Sequence, residues 1–199
     1  MKRTSVLIIM LLLLVWVNSS FAQENSRVGT AAAQFLKIGV GARAAALGEC
    51  GTAIPGITGL YWNPAAIAYV DRLSLYFTNS SMYAGLQHNF FGIAYPLGAG
   101  NTIGVGVVYL GSDDIEITTV NNPEGLGTYY SLNDYSISLT FSRYVTDRLS
   151  LGLSAKFIHE GFLRNKATAV AVDFGSMLDT GLLGMKLAMS LSSASCLMM

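Results

Sequence analysis

Tyr135-Ser136-Ile137-Ser138-Leu139-Thr140-Phe141-Ser142 alternates without a break between large apolar and small hydroxyl side chains. A period of two is the period of a β-strand, so this stretch puts residues 135, 137, 139 and 141 on one face and its hydroxyls on the other. The rhythm extends in both directions. Toward the N-terminus, Leu73, Leu75 and Phe77 alternate with Ser74, Tyr76 and Thr78. Phe91, Ile93 and Tyr95 alternate with Gly92 and Ala94, and Ile103, Val105, Val107 and Tyr109 with Gly104 and Gly106. Toward the C-terminus, Leu149, Leu151, Leu153 and Phe157 face away from Ser150, Gly152, Ser154 and Lys156. Val170, Val172 and Phe174 against Ala169, Ala171 and Asp173, then Met185, Leu187, Met189 and Leu191 against Lys186, Ala188 and Ser190, complete seven strands. The fold class is all-β and antiparallel, and every strand is two-sided.

Composition narrows what such a sheet is for. Of 199 residues, 12% are charged, about half the usual share, and 52% are hydrophobic, with 21 Gly, 10 Tyr and 9 Phe. That argues against a disordered chain and against a nucleic-acid binder, which needs a basic patch. A helical membrane protein needs apolar runs of about 20 residues, and only the N-terminal segment approaches one. There, Met1–Thr4 is basic, Val6–Val17 is apolar and Ser20-Phe21-Ala22 offers a peptidase site. Residues 1–22 therefore read as a signal peptide cleaved after Ala22, in preference to an uncleaved anchor. No Cys adjoins that site, so no lipid attachment is expected there. Loss of Lys2 and Arg3 leaves 10 cationic side chains against 12 carboxylates, a nearly neutral mature chain.

Residues 23–70 lack the two-residue period. Thr30–Ala46 is Ala-rich, with Gly39, Gly41 and Gly48 limiting any helix to a short one. At Asn63–Tyr69, Asn63 can cap a helix with Pro64 in its first position.

Alternating strands suit either a soluble sandwich, with the apolar faces inward, or a transmembrane barrel, with those faces turned to lipid. The expected connections run long, short, long, short: 80–88, 97–101, 111–133, 146–147, 160–166 and 178–181. Outer-membrane barrels pair short periplasmic turns with long outer loops in this way. Tyr76, Tyr95, Tyr109, Tyr135 and Tyr144, near strand ends, would suit interfacial girdles. Seven strands leave two open edges, which hydrocarbon does not tolerate, so the expectation is an incomplete barrel: 71–191 a partial wall, 192–199 an aberrant tail.

Two motifs carry a resemblance. Gly39-Val-Gly41-Ala-Arg43-Ala-Ala-Ala-Leu-Gly48, followed by Gly59-Leu-Tyr-Trp62-Asn63-Pro64-Ala-Ala-Ile-Ala68, resembles the N-terminal signature of the PorV/PorQ family. Val170-Ala-Val-Asp173-Phe-Gly175 is similar to a strand of the same family. The resemblance spans about 31–191. It implies an outer-membrane, FadL-like barrel with a short helical N-terminal plug, working in type IX protein secretion. It further implies partners: outer-membrane lipid, exported cargo proteins delivered to a cell-surface attachment complex, and other secretion-system subunits. The alternative is a FadL-like transporter of hydrophobic small molecules. A soluble exported adhesion sandwich is a third class.

No catalytic constellation stands out, so neither an enzyme nor a cofactor is expected. Asp113, Asp114 and Glu116 lack calcium-loop spacing and read as a solvated acidic loop. Gly39-x-Gly41 does not follow a strand and is not a nucleotide fingerprint. Asn79-Ser80-Ser81 reads as a turn more simply than as a glycosylation acceptor. His88 and His159 share no metal-ligand spacing and read as surface or loop residues. Cys50 and Cys196 are too few for a disulfide scaffold. Gly39, Gly41, Arg43, Gly48, Trp62, Asn63 and Pro64 are the structural plug motif. Within it Arg43 has two readings: a partner for Asp173 inside the barrel, or an exposed residue at its mouth.

Overall fold

A computed structural model describes residues 33–116, 127, 129–162 and 165–198; the predicted signal peptide lies outside them. Among these described residues nine strands form: β1 (Ser74–Ser81), β2 (Gln87–Gly98), β3 (Asn101–Gly111), β4 (Ile115–Glu116), β5 (Tyr129–Tyr130), β6 (Asn133–Thr146), β7 (Leu149–Phe162), β8 (Asn165–Asp179) and β9 (Lys186–Met198). Seven of them build one antiparallel sheet in the order β1-β2-β3-β6-β7-β8-β9, while β4 and β5 make a small separate ladder. All seven expected strands are in the large sheet. Neighbours in the sheet follow one another along the chain as hairpins, save that the small β4–β5 ladder lies in the connection between β3 and β6.

The quoted stretch in β6 decides which face is inside. Thr140 and Ser142 are 0% exposed, whereas Ile137, Leu139 and Phe141 are 45%, 55% and 46% exposed. The same inversion holds on the neighbouring strands. Ser150, Ser154 and Asp173 are buried while Leu153, Phe157, Val172 and Phe174 are exposed. The sheet thus buries the face that carries most of its small and polar side chains, together with Phe90, Val108, Leu110, Ile158 and Met177, and presents a face of large apolar ones.

Residues 33–70 cover that small-residue face with four short helical turns: Gln34–Lys37, Ala42–Ala46, Gly59–Trp62 and Pro64–Tyr69. Ile38, Asn63 and Val70 end three of them in extended conformation, and before the fourth Gly41 holds φ at 94°, which an L side chain rarely adopts. The apolar core lies between this segment and the sheet. Phe35, Val40, Leu60 and Ile67 meet Phe90, Val108, Leu110 and Ile158 there. Among the described residues no helix is long and apolar enough to cross a membrane.

Several boundaries differ from expectation. β7 and β8 stay paired through Glu160↔Ala167 to Phe162↔Asn165, so the expected long connection at 160–166 shrinks to 163–164. Residues 180–185 are instead the longer link, and the long-short alternation fails at this third pair. The polar side chains around residue 160 read as loop, but a ladder is made by backbone groups and continues while a partner strand is available. For the same reason β9 continues past Leu191, pairing Ser192 with Asp173 and Ser193 with Val172 and running on to Met198. Tyr76 and Tyr144 do not join an outer girdle. Tyr76 packs on the buried Phe90 at 6.1 Å and Tyr144 on Tyr69 at 5.3 Å, because parity puts both on the inner face. His88, expected at the surface, is buried on that face two residues from Phe90.

Candidate functional site: the plug seat

The segment 33–70 is held in place by small residues on the sheet. Gly152 and Gly175 are cross-strand partners on β7 and β8 and form a double-width notch. A Cβ on Gly152 would lie 2.3 Å from the Pro64 carbonyl carbon; one on Gly175 would lie 2.1 Å from Asn63 Oδ1. Gly92 and Gly106 are partners in the same way on β2 and β3 and, with Gly104, make a second notch. Leu60 fills it, with side-chain carbons 2.6 to 3.4 Å from where the missing Cβ atoms would be. Burying that one leucine is worth about 2 kcal/mol.

Polar groups then fix the register of the segment. Asn63 is fully buried; its Nδ2 donates to the carbonyls of Thr52 at 3.0 Å and Ser176 at 3.2 Å, and its Oδ1 accepts from the Ala65 N–H at 3.0 Å. Asn63 is thus the cap its position before Pro64 suggests, and it also ties the turn to β8. The Ala65 carbonyl accepts from Ser142 Oγ at 3.3 Å and Ser150 Oγ at 3.1 Å. Inner hydroxyls not used by the segment find partners within the sheet: Thr140 Oγ1 donates to Ser154 Oγ at 2.9 Å and Ser138 Oγ to the Gly106 carbonyl at 3.2 Å. A buried polar face is tolerable only on these terms.

Tyr61 and Trp62 organise the earlier half. Trp62 Nε1 donates to the Val40 carbonyl at 2.9 Å. The Tyr61 hydroxyl lies 2.6 Å from the Leu36 carbonyl and 2.9 Å from that of Ile38, and shares its proton between them. Gly39 leaves room for Trp62 and Glu49, since a Cβ there would come within 3.1 Å of the indole ring and 2.9 Å of Glu49 Oε1. At Gly41 the Tyr76 hydroxyl occupies the corresponding space at 3.0 Å. Gly48, at φ 66°, follows the end of the helix Ala42–Ala46.

Burial, with the charge of Glu49 second, pushes the Tyr61 phenol well above its ordinary value of 10.0. The folded state therefore holds this proton more tightly than the unfolded one, and Tyr61 contributes stability below pH 10 that is lost as pH rises beyond it. An alkaline titration should loosen the segment, seen as a red shift of Trp62 emission. Tyr61→Phe should flatten that alkaline limb; an unchanged limb would refute the assignment.

Arg43 and Asp173 are not brought together. Arg43 is exposed on its short helix and lines a hollow of about 290 Å³ with Ile54, Thr58 and Tyr76. Asp173 is instead paired with Lys156, whose Nζ lies 2.5 Å from Oδ2, and it accepts a short hydrogen bond from Ser192 Oγ. The reason is register: Lys156 opposes Ala171, so it lies diagonally across from Asp173 on the same inner face. This pair lines a second hollow, of about 500 Å³, between the segment and β7–β9, with Leu36, Glu49, Tyr61 and Trp62 on the other side. Lys156, Ser142, Ser150 and four of the five notch glycines were visible in the sequence only as alternate small or polar residues; the fifth, Gly175, closes the Val170–Gly175 motif.

Other candidates stay apart. Glu116 Oε1 accepts from the Gly127 N–H at 3.1 Å, and a Cβ on Gly85 would lie 2.6 Å from Asp113 Oδ2. Among the described residues no three His, Cys, Asp or Glu side chains gather as metal ligands. Cys50 is an exposed free thiol, and His159 stacks on Tyr135 at 4.9 Å.

The class this architecture defines is an all-β chain whose antiparallel sheet carries a helical segment on its small-residue face and leaves its apolar face uncovered. No family model matches the chain, and no curated protein matches it.

Proposed function

We propose that the chain forms wall and plug of an outer-membrane β-barrel of the PorV/PorQ type, taking part in type IX protein secretion. The single observation that carries the membrane setting is the inverted sheet: Leu75, Phe77, Leu139, Phe141, Leu153 and Phe174 lie uncovered on one continuous face while hydroxyls and glycines are buried. In water that face would be a large aggregation-prone patch; in hydrocarbon it is the ordinary surface of a barrel. The edges β1 and β9 would need partner strands there, since backbone groups facing lipid must be satisfied within protein. Further strands closing the wall would supply them.

The secretion role rests on the resemblance of the Gly39–Gly48 and Gly59–Ala68 motifs, and the seat favours it over a FadL-like transporter of hydrophobic molecules. A lumen filled by a segment locked through Asn63, Ser142 and Ser150 offers no greasy conduit, so the work falls to the loops. The connection 112–132 is the longest, and its residues 117–126 and 128 lie outside those described. In this reading it meets exported cargo and hands it to a surface attachment complex.

The test is fractionation followed by loop deletion. The chain should partition with outer membranes and need detergent for release, and removing 113–131 should abolish cargo display while the plugged sheet persists. Recovery in the aqueous fraction would overturn the membrane setting. Intact cargo display without the loop, or uptake of a hydrophobic ligand by the intact protein, would overturn the secretion role.

A further inference from the structure

The hollow of about 500 Å³ between the segment and β7–β9 has walls of two chemistries. One is aromatic. The rings of Tyr61 and Trp62 lie 5.0 Å apart at 78° to each other. Their polar ends are already engaged, Trp62 Nε1 with the Val40 carbonyl and the Tyr61 hydroxyl with those of Leu36 and Ile38, so what they offer a ligand is ring surface. Gly51 holds the indole in place, since a Cβ there would come within 2.3 to 2.5 Å of three of its ring atoms.

The other wall is polar and balanced in charge. Lys156 and Asp173 are paired, with Ser192 on Asp173. Lys37 and Glu49 add one ammonium and one carboxylate, and Ser190 adds a hydroxyl. None of these three side chains has a hydrogen-bond or ion-pair partner among the described residues. Glu49 presents its carboxylate from a backbone at φ 64°, a region that residues other than glycine enter at a cost, and strain of that kind gathers at ligand sites.

Ring surface facing donors and acceptors that carry no net charge matches one class of small molecule. A sugar lays a face of C–H groups on an aromatic ring and presents a rim of hydroxyls, each both donor and acceptor. Carboxylates accept from such hydroxyls, ammonium groups donate to them, and serine does either. The volume falls within the about 300–1,000 Å³ of small-molecule sites. An organic cation would also suit the rings and Glu49, but Lys37 and Lys156 oppose it.

We infer that this hollow binds a neutral mono- or disaccharide, stacked on Tyr61 and Trp62 and hydrogen-bonded by Glu49, Lys37 and Ser190, with the Lys156–Asp173 pair at its base. Such binding needs only the seated segment and does not depend on the sheet's facing lipid.

Trp16→Phe leaves Trp62 as the single tryptophan of the full chain, so its emission reports the hollow. In a detergent without a sugar headgroup, this protein is titrated with glucose, galactose, N-acetylglucosamine and maltose in turn, with glycerol as the solvent control. At least one sugar should give a saturable shift that glycerol does not. Glu49→Gln, which keeps the side chain's shape, should weaken that response about tenfold, the loss of one charge-assisted hydrogen bond. Lys37→Met repeats the measurement at the other unpaired charge should Glu49→Gln not fold. No saturable shift with any of the four sugars, or one undiminished in both variants, would overturn the site. Saturation by tetramethylammonium and by no sugar would overturn the ligand class.

Discussion

Gly175→Leu is expected to expel the segment 33–70 from the sheet without unpairing β7 and β8. The added Cβ alone would meet Asn63 Oδ1 at 2.1 Å, Pro64 Cδ at 2.9 Å and the Ala65 nitrogen at 3.0 Å. Two of these belong to backbone or a fixed ring, so the conflict is not relieved by rotating a side chain. Overpacking a rigid site costs about 1–3 kcal/mol. Here the loss also includes the hydrogen bonds of Asn63 to Thr52 and Ser176 and those of Ser142 and Ser150 to Ala65, whose groups remain where water enters poorly. The total should exceed about 3 kcal/mol. Trp62 emission should shift to the red, and protease should cut within 42–58, while circular dichroism retains the strand signal. Ala155→Leu, on the opposite face of β7, is the control and should leave the segment seated. A seated, protease-resistant segment in folded Gly175→Leu would mean that the notch is not what holds it.

Leu139→Arg should have the second large effect, and its sign depends on the surroundings of the sheet. Leu139 is 55% exposed, so in water an arginine there would be neutral or improve solubility. At the middle of a bilayer-facing band the same change costs about 2–4 kcal/mol, falling to about 0–1 near the interface. Asn101→Arg, at the end of β3 beside the native Arg143, should therefore cost little. Urea titration of the vesicle-inserted protein measures both. Equal, small effects at the two positions would be inconsistent with a lipid-facing sheet.

How much of this was legible depends on the distance over which each feature acts. The cap at Asn63 acts on the N–H two residues later, and Asn-Pro in front of an Ala-rich run is enough to read it. The strands were legible because alternation is a local property. Their ends were not. β7 beyond Glu160 and β9 beyond Leu191 keep pairing through backbone groups after the side-chain pattern has lapsed. The partner of Asp173 escaped for a different reason: Arg43 and Lys156 are equally plausible cations until the β7–β8 register puts Lys156 beside it.

The sequence by itself determined that there are seven two-sided strands, that most hydroxyls and glycines share one side and most large apolar groups the other, and that residues 33–70 are not part of the sheet. Each follows from periodicity and backbone preference within a few residues. Only the tertiary structure decided which side is buried, because a sandwich and an inverted sheet have the same alternation. It decided this by laying Leu60 and Asn63–Ala65 into the paired glycines 92/106 and 152/175, where the absence of two Cβ atoms at once lets a backbone approach. A glycine in an alternating strand reads simply as small until the segment that needs its space, up to 112 residues away, is folded against it.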